Sequence, residues 1–455
     1  MASLFPQGRR LFVEAVIIAL LLALTAFLIY HFTVHTIRNT RPLGGANVNV
    51  THGRNAESEA SFALDPARPE VLFGANNELS TYNSVNGGRT WRKGAGPVVH
   101  GQVCVRGEPH IAIGNEREYL VFIVAPTCGN DLTPYLVATS RATGARSWGP
   151  VTRVAPPKWP YGYDDAPSLA LDQHSGRLYV AWTRSLSEQA SATVLSESDD
   201  RGRTWSSPVI IAPAAAAPHL PTIAVGTGGD VYVAGIDARH GIWIVRSADH
   251  GKTFGPVQTA APLRANPSSN CAGQMNYSPL PTEETSCLGP NPTVLATKAG
   301  VAVVYSDVGA NRTPDVLVTA LDRELKPLFH AQINPPDKGS TQQFFPAAAI
   351  DAGTGVFWAC WYDTTFDSHA RRAWFTCSAS RNGKTWTPPE RAAADEVHVS
   401  DLYTDIRAST GFWPAVVADR GTAHPFWIGV NRTTFAQKIY TAAMSERKAF
   451  LTLQR

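Results

Sequence analysis

The sequence has little of what marks several large classes of protein. Charged residues make up only 17% of its 455 residues, the formal net charge is +3, and methionine occurs three times. Lysine and arginine are scattered and form no basic stripe, so the electrostatic footprint of a nucleic-acid-binding protein is absent. None of the six cysteines stands in a CxxC pair, which argues against a structural zinc site. We therefore expect no nucleic-acid partner, no metal and no cofactor.

Glycine, proline and tryptophan are plentiful by contrast, with 36, 33 and 12 residues. Together with many valines, threonines and tyrosines, they are typical of short strands that are joined by tight turns. The composition thus favours an all-β fold.

One long apolar run lies near the N-terminus. Residues 15–34 (AVIIALLLALTAFLIYHFTV) are apolar apart from one tyrosine, one histidine and two threonines, and about 20 such residues suffice to cross a bilayer. Arg9 and Arg10 precede the run, so the positive-inside tendency places the N-terminus in the cytoplasm and the rest outside. A cleaved signal peptide is the alternative, although the run is long for one and no clear cleavage site follows.

These features predict the domain organisation. We expect a cytoplasmic tail over 1–10, a transmembrane signal-anchor helix over 11–34, a linker over 35–56 and one large domain over 57–455. The large domain would then be extracellular or periplasmic, with the membrane as a partner of the N-terminal helix.

An internal repeat fills the large domain. Each copy has a polar or aromatic residue, often a proline, an apolar stretch, a turn and a second apolar strand, as in DAPSLALDQHSGRLYVAWT. The seven copies begin at Glu59, Glu108, Asp165, His219, Asn291, Phe344 and Phe412. A second hairpin follows each copy, and four-stranded units arranged radially make a β-propeller. Seven blades are favoured, six are the alternative, and residues 47–51 (NVNVT) are expected to close the ring.

Several of the second hairpins carry one turn motif. Good copies are SVNGGRTW from Ser84, SDDRGRTW from Ser198 and SADHGKTF from Ser247, and RNGKTW and ATGARSW are decayed versions. This motif is the Asp box, and from about residue 57 onward the chain resembles the sialidase-like propellers that carry it. The resemblance implies a structural turn between the third and fourth strands, so Asp200 and Asp249 are interpreted as turn-forming residues.

The resemblance also implies where a functional site would lie. Loops that lead into first strands and loops that leave second strands share the face opposite the Asp boxes, where sialidases have their active site. The candidate catalytic carboxylates on this face are Glu59, Glu108, Asp165 and Asp363. The candidate substrate-binding residues are Arg54, Arg184, Arg312, Arg432, Tyr163, His219, Asn291 and Tyr403. Carboxylates can act at a glycosidic bond, and arginine can hold a carboxylate by two hydrogen bonds. The plainer interpretation is that such loop ends are polar in most propellers.

The cysteines fit the same map. They form three sequence-local pairs, and an even number in an exported domain is typical of disulfides. Fifteen pairings are formally open. The propeller arrangement favours Cys104–Cys128, Cys271–Cys287 and Cys360–Cys377, each stabilising the fold by roughly 2–4 kcal/mol.

The chain departs from sialidases at the residues of catalysis. It has no Arg-Ile-Pro element, and no local motif identifies three arginines for a substrate carboxylate. Tyr403 is a candidate nucleophile by position only. Two functions follow: a membrane-anchored, exo-glycosidase-type propeller that recognises and hydrolyses extracellular glycans, or a non-catalytic propeller that binds glycan or protein, or serves as a scaffold, at the cell surface.

Overall fold

A computed structural model describes most of the chain. The described residues are 25, 47–51, 60–101, 103–128, 133–155, 163–187, 190–213, 218–237, 241–264, 278–280, 283–309, 313–336, 341–398, 414–430 and 437–451. The chain divides into two units, Met1–Pro42 and Leu43–Arg455. Apart from position 25, the anchor predicted over 11–34 lies outside the described residues. Among the residues that are described, no helix is both long and apolar enough to cross a membrane.

The described part of the second unit forms seven antiparallel sheets of four main strands each, which are the blades of a β-propeller. Blade 1 contains β2 (Ser61–Asp65), β3 (Arg68–Ala75), β4 (Thr81–Ser84) and β5 (Arg92–Gly94). Blade 2 contains β6 (Cys104–Gly114), β7 (Arg117–Ala125), β8 (Tyr135–Ala142) and β9 (Thr152–Arg153). Blade 3 contains β10 (Asp164–Leu171), β11 (Leu178–Ser187), β12 (Ala190–Ser198) and β13 (Val209–Ala212).

The remaining blades follow the same order, from the innermost strand outward. Blade 4 contains β14 (Pro218–Val225), β15 (Val231–Asp237), β16 (Gly241–Ser247) and β17 (Gln258–Ala261), and the hairpin of β18 (Ser278–Leu280) and β19 (Glu283–Leu288) follows it. Blade 5 contains β20 (Thr293–Ala296), β21 (Gly300–Val308), β22 (Pro314–Asp322) and β23 (Pro327–Gln332). Blade 6 contains β24 (Gln343–Ile350), β25 (Phe357–Asp363), β26 (Arg372–Ser380) and β27 (Glu390–Arg391), with β28 (Val397–His398) beside β26.

Blade 7 joins the two ends of the propeller. It contains β29 (Ala415–Asp419), β30 (Thr422–Val430), β31 (Gln437–Thr441) and, as its outermost strand, β1 (Val48–Asn49). The short strand β32 (Met444–Ser445) pairs with β30 and leads into the helix α1 (Glu446–Leu451). The innermost strands of consecutive blades contact one another, and β29 contacts β2, so the ring is closed. Of the two blade numbers weighed from the sequence, seven is confirmed.

The second strand of each blade is the most apolar because neighbouring blades cover it from both sides. Strand β15 is buried at all seven positions, and β25 at six of seven. Among the largest fully buried side chains are Trp182 and Trp361, which lie on second strands, and Trp243 on a third strand. The core is therefore a series of layers between blades.

Ring closure rests on a short antiparallel pairing between β1 and β31. The backbone N–H of Val50 donates to the Ile439 carbonyl at 2.9 Å, and the Ile439 N–H donates to the Thr51 hydroxyl oxygen at 3.0 Å. Val50 packs with Phe62 of blade 1 and Phe426 of blade 7 in one apolar cluster. The closing strand predicted over 47–51 is thus confirmed.

The Asp boxes lie on the turns between third and fourth strands, as the resemblance implies. In blade 3, Asp200 accepts hydrogen bonds from the Thr204 N–H at 2.9 Å and from the Thr204 hydroxyl at 2.6 Å. Gly202 has a φ of +79° and donates its N–H to the Ser198 hydroxyl at 2.9 Å. Although slight burial acts to raise the pKa of Asp200, these hydrogen bonds hold it near 2. Both oxygens of the carboxylate thus accept hydrogen bonds within the turn.

Two of the predicted disulfides are confirmed. Cys104 and Cys128 are bonded, with their Cα atoms 5.0 Å apart, at the end of blade 2 opposite its Asp-box turn. Cys360 and Cys377 are bonded directly across β25 and β26, with their Cα atoms 4.0 Å apart, and both are buried. Cys271 lies outside the described residues, so the pairing with Cys287 stays a prediction.

The closure cluster can be tested with two valine substitutions. Val50 is 1% exposed, so Val50→Ala is expected to lower the free energy of unfolding by about 2 kcal/mol through the cavity that it leaves. Val85, in the blade 1 Asp box, is 72% exposed, and Val85→Ala is the matched control with little expected change. Denaturant unfolding of the full-length protein measures both. Equal effects of the two substitutions would show that the apolar cluster around Val50 does not help to hold the ring shut.

Candidate functional site

Five blades begin with the same backbone device on the face opposite the Asp boxes. The residue before a proline in or next to the first strand has a positive φ, which is uncommon for residues other than glycine. These residues are Glu108 (50°), Ala166 (48°), Leu220 (50°), Asn291 (43°) and Phe345 (50°). In blades 2, 3, 4 and 6 the pairing of first and second strands shifts register across this position. Such bulges re-aim side chains at a rim.

Hydrogen bonds connect the first three blades along this rim. Asn77, in the loop that leaves β3, accepts a hydrogen bond from the Glu108 N–H at 2.8 Å. The Oε2 atom of Glu108 accepts one from the Ala166 N–H at 2.9 Å. The backbone and the carboxylate of Glu108 are therefore both held in place by neighbouring blades.

A cluster of polar side chains gathers where blades 2 and 3 meet. We call it the Tyr163 cluster, and it consists of Arg106, Glu108, Tyr163 and Asp165. The Tyr163 side chain is 42% exposed, and its carbonyl accepts a hydrogen bond from the Ser185 N–H at 2.9 Å. The Asp165 charge, then burial, then the Glu108 charge raise the pKa of the phenol to about 12, and Arg106 opposes them.

This electrostatic setting decides what the Tyr163 cluster can do chemically. A phenol with a pKa near 12 stays protonated at neutral pH, so Tyr163 can donate a hydrogen bond but is a poor nucleophile. Within the cluster, Glu108 and Asp165 are the groups that can accept hydrogen bonds from sugar hydroxyls or exchange protons with a ligand. The disulfide between Cys104 and Cys128 lies at the start of β6, the strand that also contains Arg106 and Glu108.

Arg184 has a partner that the sequence did not indicate. Its guanidinium makes two hydrogen bonds to the buried Asp164 carboxylate, at 2.6 and 2.8 Å. The indole N–H of Trp182 donates to the same carboxylate at 2.8 Å. The side chain is buried with its partner at the rim end of blade 3, so its predicted grip on a substrate carboxylate would compete with this ion pair.

Asp363 is also deeply placed. It is 3% exposed, and it accepts hydrogen bonds from the Thr365 hydroxyl at 2.5 Å and the Gln343 side-chain amide at 3.2 Å. Burial raises the pKa of the carboxyl above its usual range despite these bonds. The corresponding ends of the second strands in blades 4 and 5 carry Asp237 and Asp307, which are buried as well. Asp307 accepts a hydrogen bond from the Arg264 N–H at 2.8 Å, so this carboxylate holds a neighbouring segment in place.

The other candidates are spread over the ring or cannot be placed. Asn291 precedes the first strand of blade 5, has a positive φ and is largely buried. His219 lies in β14, where it pairs with Ile236 of β15. The candidates outside the described residues are Glu59, Arg54, Arg312, Arg432 and Tyr403. Of the predicted residues, the structure therefore brings together Glu108, Asp165 and Tyr163, at one junction between blades. The roles assigned to all of these residues stay predictions.

Two residues of this face were missed from the sequence. Arg106 lies within β6, two positions before the residue that was singled out as leading into the blade. Phe366, in the loop that leaves β25, is 41% exposed and makes an edge contact with Trp374, with ring centroids 5.8 Å apart. The Arg391 guanidinium lies 5.4 Å from the Phe366 ring. A search of that loop for aromatic as well as charged residues would have found Phe366.

Comparison with known proteins gives likenesses of fold only. No protein-family model matches the sequence, and no curated protein matches it. A Hadza microbial sialidase is 15% identical, with 83% of this chain and 74% of that chain covered and a TM-score of 0.43. The Trypanosoma rangeli sialidase in complex with 2,3-difluorosialic acid is 11% identical, with 72% of this chain and 55% of that chain covered and a TM-score of 0.43.

A third solved structure is an α-L-arabinofuranosidase from Fusarium graminearum. It is 12% identical, with 89% of this chain and 99% of that chain covered and a TM-score of 0.48. The chain thus spans about half of the trypanosomal sialidase and nearly all of the fungal enzyme. The protein is a seven-bladed β-propeller with Asp boxes, and likenesses at this level do not bear on its activity.

The electrostatics of the Tyr163 cluster make a titration prediction. Because the Asp165 charge is the largest cause of the raised phenol pKa, Asp165→Asn is expected to lower that pKa from about 12 toward the ordinary value of 10. Glu108→Gln should lower it less. Ultraviolet difference titration against Tyr163→Phe isolates this phenol, and Asp199→Asn, an exposed acid in an Asp box, is the control. An unchanged phenol pKa in Asp165→Asn would contradict the assigned electrostatics.

Proposed function

We propose that this protein recognises glycans at the Tyr163 cluster, on the face opposite the Asp boxes. The observation that carries the proposal is an exposed phenol beside two carboxylates and an exposed arginine at the junction of blades 2 and 3. Such a group offers a hydrogen-bond donor, acceptors and a flat apolar ring to a sugar. The hydrogen bonds of Glu108 and the nearby disulfide support a preorganised rim, which reduces the ordering cost of binding.

Hydrolysis by an exo-glycosidase-type reaction is a second candidate at the same place. Glycosidases commonly use two carboxyl groups at the scissile bond, and Glu108 and Asp165 are the two beside Tyr163. A tyrosine nucleophile is disfavoured here because the phenol pKa is raised, not lowered. At the Tyr163 cluster the reaction would use the two carboxyl groups as acid and base, or as acid and nucleophile, while the role predicted for Tyr403 stays a prediction.

A non-catalytic propeller at the cell surface is the alternative. The buried ion pair of Arg184 with Asp164 supports it, because that guanidinium already has a carboxylate partner. The missing Arg-Ile-Pro element supports it as well. A protein ligand is then an alternative to a glycan at the same face.

Binding and turnover can be separated in one experiment. Full-length protein and the variants Tyr163→Phe, Glu108→Gln and Asp165→Asn are assayed on a glycan array and on a panel of fluorogenic glycosides that includes a sialoside. We expect Tyr163→Phe to weaken glycan binding by about 3- to 10-fold, as for one lost hydrogen bond. If the protein is a hydrolase, Glu108→Gln or Asp165→Asn should lower turnover by about 10²- to 10⁴-fold.

Each outcome of that experiment has a meaning. Binding that weakens in the variants without any turnover would identify a binding propeller. Asp199→Asn, on the Asp-box face, should leave both readouts unchanged. Glycan binding that is equal in the wild type and all three cluster variants would refute the proposed site.

We further propose that the N-terminal run anchors the protein in a membrane with the propeller outside. The apolar residues 15–34 and the two arginines before them support this. The full-length protein is expected to stay with the membrane fraction after a carbonate wash, and added protease should degrade the propeller in intact cells or spheroplasts. Recovery in the carbonate supernatant, or a shorter secreted chain, would instead indicate a cleaved signal peptide.

A further inference from the structure

The segment after β31 forms a structure on the Asp-box face that is not found in the described parts of the other blades. In blade 7 the N-terminal strand β1 takes the outermost position, so the chain after β31 does not continue into a fourth strand. It turns instead into β32 and α1, and the Glu446 N–H donates to the Gly421 carbonyl at 2.9 Å. Ala449 of α1 is buried against blades 6 and 7. The helix is thus fixed beside the turn between β29 and β30.

A cavity of about 730 Å³ lies between α1, that turn and the decayed Asp box of blade 6. Its lining includes three arginines, each from a different segment: Arg381 from the box, Arg420 from the turn and Arg447 from α1. Glu446 is the one acidic residue in the lining. Three guanidinium groups and one carboxylate give the described walls an excess of positive charge.

Two of the three arginines have defined contacts, and their positive charge is only partly neutralised. The Arg381 guanidinium lies 4.2 Å from the centre of the Phe450 ring. The Arg420 side chain is 63% exposed, lies 3.7 Å from the Asp419 carboxylate and donates to the Ala67 carbonyl at 3.4 Å. Within the part of the chain that is described, neither Arg381 nor Arg447 forms an ion pair, and both are exposed. The cavity therefore presents exposed positive charge that an anion can meet.

We propose that this cavity binds an acidic saccharide through its sulfate or carboxylate group. Guanidinium groups match the planar or tetrahedral oxygens of such groups by paired hydrogen bonds. The volume lies in the range of small-molecule sites, about 300–1,000 Å³, and exceeds the needs of a bare ion. Thr422, Ser445 and Phe450 add hydroxyl groups and an aromatic wall to the lining, which suit a sugar ring. The site lies on the face opposite the Tyr163 cluster and is independent of it.

The test uses full-length protein and calorimetric titration with sugars of matched size. The probes are a sulfated disaccharide, a uronate-containing disaccharide, a neutral disaccharide, inorganic sulfate, and vesicles of phosphatidylcholine with phosphatidylglycerol. One or both acidic disaccharides should bind more tightly than the neutral one and than inorganic sulfate. Arg381→Gln, Arg420→Gln and Arg447→Gln should each weaken that binding by about tenfold or more.

Controls separate this site from folding and from the other face. Lys448→Gln removes an exposed cation of α1 that does not line the cavity, and it should leave binding unchanged. Arg420→Lys keeps the charge but loses the fork of donors, so it should bind more weakly than wild type and more tightly than Arg420→Gln. Tyr163→Phe should have no effect, so failure of the Tyr163 cluster and failure of this site are distinguishable. Thermal unfolding confirms that each variant is folded.

Four results would overturn the proposal. The first two are equal binding of the neutral and acidic sugars, and binding of inorganic sulfate as tight as that of the sugars. The third is that the arginine variants are folded and bind as the wild type does. The fourth is binding to anionic vesicles only. The last result would assign the cavity to a lipid headgroup.

Discussion

A blade of this protein cannot be stable alone, because its second strand is apolar on both faces and needs a neighbour on each side. Strands such as β15, which is buried throughout, can therefore exist only inside a ring or a stack. The ring has one seam, and a few residues of β1 close it by pairing with β31. Val50 and Thr51 continue that pairing and join the apolar cluster shared by blades 7 and 1. The positions of both rims depend on this seam.

The closed ring separates two kinds of turn. On one face the Asp boxes use their acids and hydroxyls to satisfy backbone groups, as Asp200 does with Thr204. On the other face the bulged first strands and the loops after second strands bring carboxylates, a tyrosine and an arginine to the junction of blades 2 and 3. The acids of the two faces thus differ in whether they can bind a ligand. Those of the Asp boxes are hydrogen-bonded within their turn, and those of the other face lie at the bulged starts of the blades.

Local features of the sequence predicted most of the fold. The alternating hairpins, the Asp boxes and two disulfides each depend on residues near one another in the sequence, and they were confirmed. The closing strand was confirmed as well, although it pairs with the distant β31. The choice of partner for a charged side chain was harder, because the pairing of Arg184 with Asp164 depends on which side chains the two strands bring face to face. The cavity beside α1 was not predicted, since it arises where the repeat is broken and three distant segments meet.

The kink at the start of the blades is a property of the backbone and not of any one side chain. Five different residue types, Glu108, Ala166, Leu220, Asn291 and Phe345, adopt the same positive φ before a proline. Ala166, Asn291 and Phe345 are buried at this position, and the Glu108 carboxylate accepts a hydrogen bond from the next blade, so these side chains fit neighbouring blades together. A substitution at such a position would therefore act first on the contact between two blades, and only through that contact on the loops that the blades present at the rim.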